Sequence, residues 1–134
     1  MTVETLTRKE DIKVIESILR KYKTYQAGKE NLKNQLHNFS TIKRETDNPF
    51  IHESDNKHSK IAYSDFKNYS LIIDSIDIAA QHLDGLESNF VHYRYFENKT
   101  MKEISIEMGY GEKHLFNLRK RLLEKLLISL RGLY

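Results

Sequence analysis

Between Gly111 and Tyr134 the chain carries Lys113, Arg119, Lys120, Arg121, Lys125 and Arg131 against only Glu112 and Glu124, and sets His114, Phe116 and Asn117 among the first of these cations. On a helix starting at Glu112, the spacing of Leu115, Leu118 and Leu122 turns those leucines inward. Lys113, His114, Phe116, Asn117, Lys120 and Arg121 are then left on the outward face. Such a mixture suits the edges and backbone of a nucleic acid. The Asn117 carboxamide matches adenine in a bidentate pair, the Lys113 ammonium donates to guanine, and the Phe116 ring packs on a thymine methyl group. Lys120, Arg121 and Arg119 lie further along, where cations grip phosphates and set position without selecting sequence. Thr100 and Lys102, at the start of a preceding helix, are expected to add backbone contacts through that helix's free N–H groups. Two plainer alternatives stay open: Phe116 equally suits packing against protein, and Asn117 a solvated surface.

The rest of the chain offers no competing chemistry. His37, His52, His58, His82, His92 and His114 include no pair at a ligand spacing such as H-x-x-x-H, so no metal site is expected. Carboxylates lie among lysines at helix-surface spacing, where a solvated face accounts for them. There is no glycine-rich phosphate loop and no G-x-S-x-G. Neither an enzyme nor a cofactor is expected. The absence of cysteine excludes a disulfide framework and fits a reducing compartment.

What must position the cationic helix is the segment before it. In a frame of twenty residues beginning at Met101, apolar residues fall at Ile104, Met108, Tyr110, Leu115 and Leu118. Ser105 is small enough for a second helix to cross closely over the first. Gly109 stands where the chain leaves the first helix, a place that favours a left-handed backbone. Gly111 then becomes the N-cap of the second helix, weaker than Ser or Thr by a few tenths of a kcal/mol. These offsets are those of a helix-turn-helix; the ordinary alternative is a helix pair with a core-facing stripe.

The run HYRYFENKTMKEISIEMGYGEKHLFNLRKRLLEKL resembles region 4 of sigma-70-type factors. There a helix ending in an RYFEG-like segment precedes a T-(apolar)-x-E-I-x-x-x-(apolar)-G turn and a recognition helix. Arg94, Tyr95, Phe96, Glu97, Thr100, Glu103, Ile104, Gly109, Leu115, Leu118, Leu123 and Leu126 match; Gly111 and Phe116 depart. The likeness covers about 40 of the 134 residues, with no room for the other sigma regions. Small proteins ending in such a module are similar to RinA- and ArpU-like regulators of phages and prophages of Gram-positive bacteria. The resemblance implies a sequence-specific transcription regulator, an activator of late genes, that binds double-stranded DNA. Two alternatives are a small terminase subunit, which also joins a helix-turn-helix to oligomerising helices, and a sigma-like interaction module that binds RNA polymerase.

The remaining elements are read from periodicity. An all-α chain is expected. Thr7-Arg8-Lys9-Glu10 fits a capping box opening a first helix. Ile15, Ile18, Tyr22, Tyr25, Leu32, Leu36 and Phe39 keep intervals of three and four across most of residues 8–45. One long helix would keep that phase. However, Thr24 and Gly28 weaken its middle, a Gly costing about 1 kcal/mol relative to Ala. This favours a hairpin of Arg8–Lys23 and Lys29–Glu45. The stretch 46–59, TDNPFIHESDNKHS, reads as a linker around the only proline. Ala62, Phe66, Tyr69, Ile73, Ile76, Ala80 and Leu83 then mark an amphipathic helix over about 60–83, roughly 35 Å long, broken by Asp84-Gly85. The domains expected are 1–45, linker 46–59 and 60–134.

Net charge is +3 overall, of which the last 24 residues supply +4, so the excess is confined to the helix that would meet phosphates. An N-terminus without an apolar run, and no stretch of 18 apolar residues, argue against secretion signals and membrane spans; a cytoplasmic, nucleoid-associated protein is expected. Leu122, Leu123, Leu126, Leu127, Ile128, Leu130, Leu133 and Tyr134 exceed what one helix face needs. Either the tail folds back on the Ile73–Leu83 helix or it meets another subunit. Two-fold operators are read by dimers, so a homodimer is expected, joined through the tail or the N-terminal hairpin.

Overall fold

A computed structural model describes residues 3–46 and 53–134, with side-chain surroundings for 8–38 and 57–134. All regular structure among them is helical: α1 (Val3–Arg20), α2 (Tyr22–Thr46), α3 (Glu53–Gln81), α4 (Gly85–Val91), a π-helical turn His92–Phe96, α5 (Met101–Met108) and α6 (Glu112–Ser129). No helix of the described residues is long and apolar enough to cross a membrane.

The chain divides into two compact units, one of residues up to Lys23 with Asp74–Tyr134, the other of Thr24–Ile73. This differs from the expected division at 45 and 60, because α1 groups with the C-terminal half. Helix ends differ too. α1 starts at Val3, so Thr7 lies within it and does not open it. The break between α1 and α2 falls at Lys21, whose N–H is shared by the carbonyls of Ser17 and Ile18 at 3.2 and 3.1 Å. Residues 24–28, where a break was expected, are helical. Of the expected linker, Thr46 ends α2, Glu53–Ser59 opens α3, and 47–52 lie outside the described residues.

Gly28 is tolerated inside α2 for a packing reason. A Cβ there would stand 3.0 Å from Cε2 of Tyr69, so the missing methyl lets the ring lie against the helix. Tyr25 meets Tyr69 at 5.6 Å between centroids, and the Lys29 ammonium lies 5.9 Å from the centre of the Phe66 ring. Rising numbers in α2 therefore meet falling numbers in α3, and the Thr24–Ile73 unit is an antiparallel helix pair. Its seam includes buried Ala62 and Ile73.

The other unit has the larger core. Ile15 and Leu19 of α1, Ile76 and Ala79 of α3, Phe90 and Val91 of α4, Tyr95, Ile104 of α5, and Leu115, Leu118, Leu122, Leu123 and Leu126 of α6 are all buried. Each large apolar side chain so buried contributes about 1.5–3 kcal/mol. α6 packs on α1, α4 and α5. Of the apolar tail, Leu122, Leu123, Leu126 and Leu130 are buried, Leu127, Leu133 and Tyr134 are half-buried, and Ile128 is strongly exposed. Tyr22 ties the unit together at the start of α2. Its hydroxyl donates to Asp77, and its ring stacks on Phe96 at 4.7 Å. Burial and then the Asp77 carboxylate push its hydroxyl up to about 12.

Candidate nucleic-acid interface

The connection into α5 is closed by hydrogen bonds. The π-helical turn ends with Glu97 N–H donating to the His92 carbonyl at 2.9 Å, Lys99 N–H reaches the Tyr93 carbonyl at 2.9 Å, and the Arg94 guanidinium donates to the Lys99 carbonyl at 2.9 Å. Asn98 takes a left-handed backbone, φ 56°, which Asn tolerates better than most residues. Thr100 then caps α5. Its hydroxyl oxygen accepts from Glu103 N–H at 3.2 Å and donates to the Glu103 carboxylate at 3.0 Å, while its own N–H donates to the same carboxylate at 3.3 Å. The capping box is complete, so the Thr100 side chain is committed to the helix end.

α5 and α6 are joined by three residues. Gly109 is left-handed, φ 73° and ψ 24°, with its N–H on the Ser105 carbonyl at 3.0 Å. Ser105 does more than provide room: its hydroxyl donates to the Tyr110 carbonyl at 2.5 Å, holding the turn closed. Gly111 is the extended N-cap of α6, with no side-chain cap, and its carbonyl accepts from Leu115 N–H at 3.1 Å. Tyr110 stacks on His114 at 4.8 Å across the first turn.

From this corner α6 runs with Leu115, Leu118 and Leu122 buried and Lys113, His114, Phe116, Asn117 and Lys120 exposed. Lys113, Asn117 and Lys120, at intervals of four and three, form one stripe opposite the buried face. Neither lysine makes an ion pair among the described residues, nor does the exposed Lys102 of α5. Glu124 and Ile128 continue the stripe, so its cationic part ends at Lys120.

The other cations of α6 are engaged. Arg119, half-buried, makes a two-toothed contact with Glu16 of α1 at 2.7 and 3.3 Å, and the Tyr95 hydroxyl donates to the same carboxylate at 2.6 Å. Burial alone would raise the Glu16 pKa, but the Arg119 and Tyr95 hydrogen bonds overcome it and hold the carboxyl below its ordinary value. Burial and Glu16 push the Tyr95 hydroxyl well up. Arg121 lies 3.2 Å from Glu87 and 3.3 Å from Asp84, and Lys125 lies 2.7 Å from Glu87, which is wholly buried. Arg8 of α1 pairs with Glu124 at 2.7 Å.

The corner therefore brings together Lys113, His114, Phe116, Asn117 and Lys120, with Lys102 exposed on α5. It does not leave Arg121 or Arg119 free, nor the Thr100 hydroxyl. Glu16, Asp84, Glu87 and Tyr95 have roles that sequence reasoning missed. Asp84-x-x-Glu87 has the form of a capping box, and that signal could have found the cap but not the two cations that Glu87 also holds. No group of His, Asp or Glu that could hold a metal occurs among the described residues. No family model, curated protein or solved structure matches the chain.

Proposed function

We propose that this chain is a sequence-specific DNA-binding transcription regulator in which α5, the Gly109 corner and α6 act as a helix-turn-helix of the sigma region 4 type. The observation that carries the reading is the Lys113–Asn117–Lys120 stripe, exposed on the first turns of a helix whose opposite face is buried. In such a unit the N-terminal part of the second helix reaches base edges in the major groove. Asn117 reads adenine, Lys113 donates to guanine, and Lys120 with Lys102 holds the backbone. The regulator is of the RinA and ArpU kind, from a phage or prophage, and activates late genes as a homodimer on a two-fold operator.

The test is the triple variant Lys113→Ala, Asn117→Ala, Lys120→Ala. It is expected to keep its helical circular dichroism and to lose more than about a hundredfold in affinity for a duplex selected by the native protein. Retained binding would remove the assignment. A second reading has its own support: Ile106 and Phe116 are 76% and 53% exposed, and exposed apolar side chains beside the corner suit a protein partner. On that reading the module binds RNA polymerase, and pull-down of polymerase by a chain without DNA affinity would select it.

A further inference from the structure

The engaged cations of α6 differ in what each would leave behind if it moved. Arg119 is the bonded cation of Glu16, itself only 8% exposed, so its departure would strand a buried carboxylate. Lys125 is the closer of the two cations on fully buried Glu87, at 2.7 Å. Arg121 stands apart. Its distances, 3.2 Å to Glu87 and 3.3 Å to Asp84, are long for charge-assisted bonds, and its side chain is 54% exposed. Without it, Glu87 keeps Lys125 and the Asp84 N–H at 3.0 Å, and Asp84 keeps the Glu87 N–H at 2.8 Å. Both remaining contacts of Glu87 fall on Oε1, so its charge stays paired with Lys125 while Oε2 gives up the Arg121 Nε–H at 3.2 Å. Arg121 also follows Asn117 by one turn, at the flank of the exposed stripe.

We propose that Asp84 is a built-in competitor for the phosphate backbone: in the free protein its carboxylate holds the Arg121 guanidinium beside α6, and a duplex phosphate displaces it. This rests on the reading of α6 as the helix that meets DNA. Asp84 is suited to the task because its position is set independently of Arg121, by capping α4. The carboxylate stays ionised, its pKa lowered first by the Glu87 N–H and then by Arg121. Binding exchanges the Arg121 contacts with Asp84 and Glu87 for one with a phosphate, so Asp84 weakens association without changing which bases are read. Lys125 meanwhile keeps the buried end of the network neutral.

The experiment measures binding of a mixed-sequence DNA duplex by fluorescence anisotropy over a salt series, for the native chain, Asp84→Asn, Arg121→Gln and the double variant. Asn keeps the N-cap and removes the charge; Asp84→Ser, an equally good cap, repeats the test should Asp84→Asn lose helicity. Asp84→Asn is expected to tighten binding about two- to fivefold, the size of one exposed ion pair. Arg121→Gln is expected to weaken it and to reduce the salt slope by about one phosphate. In the Arg121→Gln background the Asp84 gain disappears. An equal gain in both backgrounds would overturn the proposal, since Asp84 would then act only through the general field. So would a salt slope that Arg121→Gln leaves unchanged. Either result leaves the DNA reading standing while the native chain binds and the Lys113, Asn117, Lys120 variant does not. A native chain that binds no duplex at low salt overturns both.

Discussion

Two glycines at the α5–α6 corner predict opposite responses to substitution. At Gly109 the backbone is left-handed and nothing lies within 4 Å of a built Cβ, so Gly109→Ala carries a conformational penalty and no steric one, about 1–2 kcal/mol. Thermal melting should place it several degrees below the native chain with helical content retained. Gly111 has an extended backbone and no side-chain cap, so Gly111→Ser should gain a few tenths of a kcal/mol by supplying the missing acceptor. An unchanged Gly109→Ala melt, or a destabilised Gly111→Ser, would mean the corner is not as described. Both glycines were legible from their place in the frame, as was the outward set on α6, because helix periodicity decides which side chains point out. What each cation touches was not. Arg119 meets a partner 103 positions away and Arg121 partners 34 and 37 away, and such separations leave no local pattern. Charge counted along α6 therefore overstated what is free to meet phosphate.

Among the elements, α1 carries the clearest consequence. Ile15 and Leu19 are buried in the unit that holds α6, and Glu16 and Arg8 bond to Arg119 and Glu124. A fragment of residues 60–134, which periodicity alone marks as a free-standing domain, lacks these partners and should melt well below the full chain or fail to fold. Ile15→Ala should destabilise by about 2–5 kcal/mol in denaturant titration. Glu16 makes stability depend on pH. Its folded pKa is depressed below the ordinary 4.5, so the ionised group contributes stability that is fully present above that value and is lost as the pH falls through the folded one. Glu16→Gln should flatten the acid limb of a melting-temperature profile; an unchanged limb would remove Glu16 from that role. The alternating signal of α3 was readable because amphipathic spacing is local. The α1–α2 break was misplaced because propensity alone made Gly28 a helix breaker, whereas the Tyr69 ring gives the missing Cβ a use.

For the whole molecule, the proposed function has DNA meet the chain through one face, the exposed stripe at the start of α6. Lys113 and Lys120 on that face, and Lys102 exposed on α5, are cations without a carboxylate partner among the described residues. The duplex should therefore be held through few phosphates per copy, and removing Lys120 or Lys102 should reduce the salt slope by about 0.9. Pairing of copies on a two-fold site would double the number of phosphates neutralised, and light scattering with and without duplex would register it. The most direct measurement is a map of amide chemical shifts as a mixed-sequence duplex is added to the labelled full chain. The largest changes are expected over residues 111–121 and at the start of α5, with the Thr24–Ile73 helix pair unmoved. Changes confined to that helix pair, or none at all, would contradict it.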